Sequence, residues 1–388
     1  MKDNDIIYFD NAATTFPKPQ SVIMAALDCM ENYCGNPGRG SHVLAMRASE
    51  KVYEAREAVA SIFNCRPENA VFTLNTTYAL NIAIKGVMSS GGHMLISNME
   101  HNSVLRPVAS LSKDGKVRYD IFKAYETGRS LGAKEIIDGI ISKLRPDTKM
   151  IACIHSSNIC SRSLPIREIG AFCRRHGIIF LVDAAQSAGH LEIDMEEDNI
   201  DILCLPAHKG LYSPQGCGIA VFGDNTPHQL STFIEGGNGT NSLEASMGKD
   251  MPERLEGGTL CTPALAGLVS GINFVKNIGI ESIAEHEKSL WRRAYDRLSS
   301  IRGAALYDST PGSVLLFNIE GIPSDGVGDM LSSQGFCLRS GYHCSALAHK
   351  ALSTPDGGAV RMSFGIFNTL GEVDRLCDEI ASIASDVR

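Results

Sequence analysis

The chain has no CxxC pair, no HExxH, no Walker lysine loop and no nucleophile-elbow serine, although it runs to 388 residues and holds 12 cysteines. Those absences argue against a disulfide framework or zinc site, against zinc proteolysis and P-loop NTP hydrolysis, and against esterase chemistry. Most of the cysteines read instead as small buried hydrophobes. A GxG begins at Gly216 and Gly218, but Val221 stands where a dinucleotide fingerprint needs its third glycine, and no acid follows at the required distance. Basic charge is not in excess: 36 Lys and Arg face 44 Asp and Glu, a net charge of −8, which argues against a nucleic-acid surface as the main function. No run is long and apolar enough to cross a bilayer, and the start MKDNDIIYFDNAATT is acidic with no apolar signal core, so a cytoplasmic location is expected. Internal repeats, low-complexity tracts and charged tails are missing too. What is there, 44% hydrophobic and 21% charged residues, describes an ordinary globular protein long enough for one large core and a smaller one, hence two domains.

Taken in order, residues 6–9 read as a short strand or arm, and the small residues Asp10 to Thr15 as a turn that lets a backbone approach closely. A helix over 21–32, a Gly-rich loop over 34–42 and a helix over 46–63 follow, the last with Val52, Ala55, Val59, Ile62 and Phe63 on one face. Buried strands are then predicted at 70–74, 93–97, 150–155, 178–182, 202–205 and 218–222, with helical stretches between them such as 167–176. This alternation implies an α/β unit on a mostly parallel sheet. Polar residues recur just after the strands: Thr77, His101, Asn158, Asp183, and His208 with Lys209. An irregular stretch over 235–262 is long enough to be functional or packed on a partner. Beyond it come a helical region over 262–302 and strands at 314–319, 337–339 and 360–364. A closing helix has a Thr369/Glu372 capping box and an apolar stripe of Val373, Leu376, Ile380 and Ile383, so the second unit is α+β.

One acid and one lysine stand out. Asp183 ends one predicted strand, and Lys209 follows another. In open parallel sheets ligands collect at the carboxyl ends of strands, so the two can face one pocket. A pyridoxal 5'-phosphate (PLP) enzyme needs that pair, the Lys to carry the cofactor as a Schiff base and the Asp to hold the pyridine nitrogen protonated. Taken alone, the Asp also reads as a helix cap and the Lys as a solvated charge. The strand, hydroxyl turn and helix around Thr76 and Thr77 suit a phosphate, or are a plain N-cap.

Eight segments, in order along the chain, carry a resemblance: DNAATT at 10–15, NTT at 75–77, MEHN at 99–102, VDAAQSAGH at 182–190, the pair His208–Lys209, EGGT at 256–259, RSGYHC at 339–344 and VRMSFGIFNT at 360–369. Together they resemble the class V aminotransferase family, and within it the cysteine desulfurase and selenocysteine lyase branch. The short loop around YHC is similar to that of the sulfur-mobilisation desulfurases, and the run SALAHKAL after it resembles a less studied subgroup. The resemblance implies aminotransferase fold type I, with a large PLP-binding α/β domain over 16–270. A smaller α+β domain over 1–15 and 271–388 would carry the catalytic cysteine loop.

It further implies that Lys209 binds the cofactor and shuttles protons, that Asp183 pairs with the ring nitrogen and Gln186 with the ring hydroxyl, and that His101 stacks on the ring. Thr76, Thr77 and His208 would hold the phosphate, with Thr259 reaching the phosphate of the neighbouring subunit in a homodimer. Asn158, Arg361, Ala12 and Arg339 would surround the amino-acid substrate, Asn158 also lying against the cofactor. Cys344, as a thiolate with a pKa lowered by Arg339 or His343, would take sulfur or selenium from cysteine or selenocysteine and pass it to an acceptor protein. A transaminase using Lys209 and Asp183 but not Cys344, and a catalytically quiet scaffold, remain alternatives. No metal is implied. One departure stands out: relatives usually carry Ser or Thr two residues before the His-Lys pair as a phosphate ligand, and here that position is Pro206, followed by Ala207, and a proline offers neither hydroxyl nor N–H.

Overall fold

The computed structural model describes residues 6–38, 40–126, 129–240 and 242–386, so Arg39 of the Gly-rich loop, Asn241 of the long irregular stretch and the first five residues lie outside it. Its centre is a sheet of seven strands in the spatial order Ala70–Thr73, Gly218–Phe222, Ile202–Pro206, Ile179–Asp183, Thr148–Ile154, Gly92–Ser97 and Val117–Phe122. Gly218–Phe222 runs antiparallel to both of its neighbours, and the remaining pairings are parallel. The sheet is therefore mostly parallel, as the alternation of elements predicts.

The short β-branched runs become strands because both of their faces are covered. Phe180 and Val182 enter one apolar cluster while Ile179 and Leu181, on the opposite face, enter another. This period-two division between two layers of helices is what a continuous apolar strand is for. The observed strands differ from expectation by a residue or two at their ends, and Asp183 proves to be the last residue of its strand.

A second sheet of four strands, in the order Ala304–Leu306, Val314–Ile319, Ala359–Ser363 and Arg339–Gly341, is antiparallel throughout. It packs with the helices Ile280–Ser299 and Leu370–Asp386 around a cluster containing Trp291, Phe317, Leu376 and Ile380. The single strand expected at 337–339 is two strands: Phe336–Cys337 pairs in parallel with the N-terminal arm Ile7–Tyr8, while Arg339–Gly341 joins the second sheet. The helical region after 262 breaks at Gly279 into Thr262–Ile278 and Ile280–Ser299. The capping box of the last helix forms as its sequence requires, Thr369 N donating to Glu372 at 2.7 Å and Glu372 N to Thr369 Oγ1 at 3.2 Å. No helix of the described residues is long and apolar enough to cross a membrane.

Candidate active site

The carboxyl ends of the parallel strands open onto a cavity of about 220 Å³. Asp183 closes its strand there, and Lys209 follows Ile202–Pro206 by three residues into the same cavity. Their two loops are held together by a backbone approach that only glycine permits: a Cβ on Gly210 would lie 2.1 Å from the Ala188 carbonyl oxygen. Asp183 is 1% exposed, and its side chain accepts a hydrogen bond from Ala185 N at 3.0 Å. Burial raises its pKa to about 6 against that bond and the attraction of Lys209. Among the described residues no Lys or Arg forms an ion pair with Asp183, and Lys209 Nζ makes no hydrogen bond. Burial, reinforced by the Arg361 charge, lowers the Lys209 pKa to about 8, with Asp183 and Asp10 pulling the other way.

Two twelve-residue helices start at the opposite wall. Thr76–Val87 is capped by Asn75, whose Oδ1 accepts from Tyr78 N at 3.1 Å, and Thr76 and Thr77 of its first turn line the cavity. Asn102–Lys113 is capped by His101, whose Nδ1 accepts from Ser103 N at 3.1 Å. Ser103 Oγ lies 3.0 Å from the same His101 nitrogen and 2.8 Å from Thr77 Oγ1. Burial, then the charge of Lys209, lowers the His101 pKa to about 4, so the ring is neutral and, with Nδ1 accepting, carries its proton on Nε2. Orphan N–H groups of two helix starts and three hydroxyls thus converge on one end of the cavity.

The DNAATT turn closes the other side. Gln186 Nε2 donates to Ala12 O at 2.9 Å, and His208 Nδ1 lies 3.0 Å from Thr14 Oγ1. Burial and the charge of Lys209 lower the His208 pKa to about 4. Arg361, 2% exposed, donates from Nη1 to Asn158 O at 3.0 Å and from Nη2 to Asp10 Oδ1 at 2.5 Å, while its buried Nε has no hydrogen-bond partner. Asn158 in turn donates to His343 O at 2.9 Å and accepts from Ser345 Oγ at 2.6 Å. Cys344 sits between those last two residues. Its carbonyl accepts from Asn102 N at 2.7 Å, and its exposed thiol is carried on a left-handed turn with φ 50° at His343 and 56° at Cys344.

Of the residues singled out from sequence, Thr76, Thr77, His101, Asn158, Asp183, Gln186, His208 and Lys209 line the one cavity, together with Pro206. Ala12 and Arg361 join them through the bonds just described. Cys344 and Arg339 are not in its wall; Arg339 is the exposed first residue of the strand leading to the cysteine turn. Thr259 lies elsewhere, in a separate cavity of about 470 Å³ beside Asn36, Arg56 and Glu256. His343 differs from expectation. Burial and the Arg361 charge lower its pKa to about 3, and its Nε2 faces the Arg339 carbonyl at 3.0 Å, so it is a neutral donor rather than a cation beside the thiol. Sequence reasoning missed Asn75, Ser103 and the Asp10–Arg361 pair. The hydroxyl of Ser103, two residues past His101, was the readable signal for the second.

The class-V aminotransferase family model matches residues 7–376. The chain belongs to the class-V aminotransferase family. Similar proteins of this family include a probable cysteine desulfurase of Methanothermobacter thermautotrophicus, 32% identical over 98% of this chain and 95% of that protein. Another, from Pyrococcus abyssi, is 30% identical over 99% of this chain and 96% of its own length. Among solved structures, an apo cysteine desulfurase from Thermococcus onnurineus NA1 superposes with a TM-score of 0.89 at 28% identity, covering 99% of this chain and 96% of that one. The cysteine desulfurase CsdA of Escherichia coli shares the fold, with a TM-score of 0.87 at 24% identity over 99% and 96%.

Members of the class-V family are in general PLP-dependent. The cavity of this class-V chain suits that cofactor. A buried carboxylate without a cation needs a positive N–H, an unbonded lysine stands in the same cavity, and the two helix starts offer donors to a phosphate.

Proposed function

We propose that this chain is a PLP-dependent cysteine desulfurase that takes sulfur from L-cysteine, leaves L-alanine and holds the sulfur as a persulfide on Cys344. The observation that carries the reading is the pair Asp183 and Lys209: a 1%-exposed acid without a bonded cation and an unbonded lysine, in one cavity. Such a carboxylate is stable only when something positive meets it. The relatives' names and the Cys344 turn anchored to Asn158 and Asn102 support the substrate.

When bound, PLP supplies an electron sink for the substrate's α-carbon. Lys209 would hold it, Asp183 would keep its ring nitrogen protonated, and Gln186 would meet its ring hydroxyl. Thr76, Thr77 and His208 would hold its phosphate, with His101 stacked on the ring. Arg361 Nε and Asn158 receive the substrate carboxylate, beside Ala12. Lys209, its pKa lowered to about 8, is suited to move the α-proton near neutral pH. The Cys344 thiolate attacks the substrate sulfur, so a sulfur–sulfur bond forms while the carbon–sulfur bond breaks with its electrons going to carbon. His343 is neutral, so of the two candidate cations only Arg339, on the strand leading into the turn, carries a charge.

The proposed division into 16–270 and 1–15 with 271–388 is supported by the two sheets, each lying within one unit, while its boundary falls inside the helix Thr262–Ile278 and Leu316, Ala348, Leu352 and Ala359 of the second unit pack in the large sheet's cluster. A homodimer is part of the reading, because Thr259 stands outside its own chain's cavity and Ile23, Met24, Leu27 and Met30 leave an apolar helix face exposed.

The test is sulfide and alanine release from L-cysteine by purified protein supplied with PLP and a thiol reductant, which returns the Cys344 persulfide to thiol and frees its outer sulfur as sulfide, run beside L-selenocysteine and beside alanine with a keto-acid acceptor. Equimolar alanine and sulfide support the desulfurase. Turnover of selenocysteine alone would make it a lyase of that amino acid, and keto-acid formation alone would make it a transaminase.

A further inference from the structure

The run after Cys344 forms the helix Ala346–Leu352, which buries Ala348, His349 and Leu352. A histidine 2% exposed on the apolar side of a helix needs partners for both ring nitrogens. His349 finds them in a chain of bonds whose direction is fixed end to end. The Arg339 carbonyl can only accept, so His343 Nε2, 3.0 Å away, carries a proton. Burial and the nearby Arg361 charge keep that imidazole neutral, which leaves His343 Nδ1 as an acceptor. His349 Nε2, at 3.2 Å, is then the donor. Burial, again with Arg361, keeps His349 neutral as well, so its Nδ1 accepts from Thr354 Oγ1 at 2.9 Å. The two imidazole planes lie within 9° of each other with centroids 5.4 Å apart, the edge-to-edge arrangement that an N–H···N bond in the ring plane requires.

This row of bonds brackets the cysteine turn, from Arg339 before it to Thr354 after it. The turn itself is costly. His343 and Cys344 are consecutive non-glycine residues at φ 50° and 56°, a conformation that persists only where surrounding structure holds it. Asn158 and Asn102 hold the two carbonyls of the turn. The side chain of His343, the first left-handed residue of the turn, is held on one nitrogen by Arg339 O and on the other by His349 alone.

We propose that His349 is a positioning residue for Cys344: by donating its Nε2–H to His343 it clamps the left-handed turn and holds the thiol in its attacking place, without touching substrate or cofactor. The inference rests on the desulfurase reading for its kinetic consequence, but its structural consequence is independent of it. The Asn102 amide, bonded to Cys344 O from a different element, reports whether the turn is docked.

Three variants test the clamp in the full chain. His349→Phe keeps a flat ring but loses both bonds, His349→Gln keeps a donor at similar reach, and Thr354→Val removes only the hydroxyl that fixes the His349 tautomer. Hydrogen exchange at the Asn102 amide is measured with and without PLP, together with kcat and KM for sulfide release and the change in cofactor absorbance on adding cysteine. In His349→Phe we expect Asn102 exchange to rise and kcat to fall by about tenfold each, the worth of one hydrogen bond, with KM and the cofactor response kept. His349→Gln restores most of both, and Thr354→Val moves exchange in the same direction by less. Unchanged exchange in His349→Phe, equal damage in Phe and Gln, or loss of the cofactor response in parallel with kcat would overturn the clamp. A wild-type protein that releases no sulfide would instead defeat the desulfurase reading, and the exchange comparison would still decide the clamp.

Discussion

Arg361 Nη2 is bonded to Asp10 Oδ1 at 2.5 Å, while the Nε of the same buried guanidinium has no hydrogen-bond partner. Half of a carboxylate-binding fork is therefore taken by the protein's own acid and half is open. On the proposed function, an incoming substrate carboxylate would complete the open half and compete for the other. Arg361→Ala should raise KM for cysteine by about 10²-fold, as expected for losing a buried charge-assisted pair. Asp10→Asn, which keeps the shape and removes the competing charge, should lower KM several-fold; steady-state kinetics that show a higher KM would contradict the competition.

Asp183 illustrates stability given up for a site. Its folded pKa is raised to about 6 by burial, above the ordinary carboxylate value of 3.8, so the folded state favours the protonated acid. That contribution is fully present below about pH 4 and is lost as pH climbs through about 6. In cofactor-free protein Asp183→Asn should therefore raise the unfolding midpoint at pH 7.5 and leave it nearly unchanged at pH 4, while sulfide release falls by at least about 10³-fold because the ring nitrogen loses its counter-charge. Thermal unfolding at the two pH values checks the sign.

Glu100 behaves in the same direction without a catalytic duty. It is fully buried between Ser97 and Ile154, with Oε1 accepting from both and Oε2 without a partner, and burial raises its pKa to about 8. The folded state prefers it protonated, so its stabilisation is present below about pH 4.5 and drains away as pH rises towards 8. Glu100→Gln, which keeps the shape and the acceptor, should flatten the decline in stability between pH 5 and pH 8, and a variant whose slope equals the wild type would refute the assignment.

Ser103 joins Thr77 to His101 through its hydroxyl. Its removal frees the Thr77 hydroxyl and one bond to His101 Nδ1. Ser103→Ala should weaken PLP binding by about tenfold, seen by titrating cofactor-free protein, and unchanged affinity would show that the hydroxyl does nothing at the phosphate end.

The proposed catalytic axis was legible because its residues obey local rules. Asp183 and Lys209 follow short β-branched strands buried on both faces, and Thr76 and Thr77 lie where a strand gives way to a helix. Order along the chain then tied these to RSGYHC. Elements that break local rules were missed. The helix Asn102–Lys113 contains Pro107 and several serines, and the edge strand Val117–Phe122 alternates charge with apolar residues. Contacts across the chain were out of reach for a different reason: nothing within a few residues of Asp10 marks Arg361, 351 positions away, as its partner. The His343–His349 row was hidden because the expected role of His343, a cation beside the thiol, depends on a protonation state that only its burial and the facing Arg339 carbonyl decide.

The most direct test of the account is Cys344→Ala. The variant should bind PLP and keep its visible absorbance, should still show the cofactor response to cysteine, and should release no sulfide, while the wild-type Cys344 peptide gains one sulfur atom in the mass spectrum after a single turnover. Sulfide release from cysteine at the wild-type rate by Cys344→Ala would contradict the central claim.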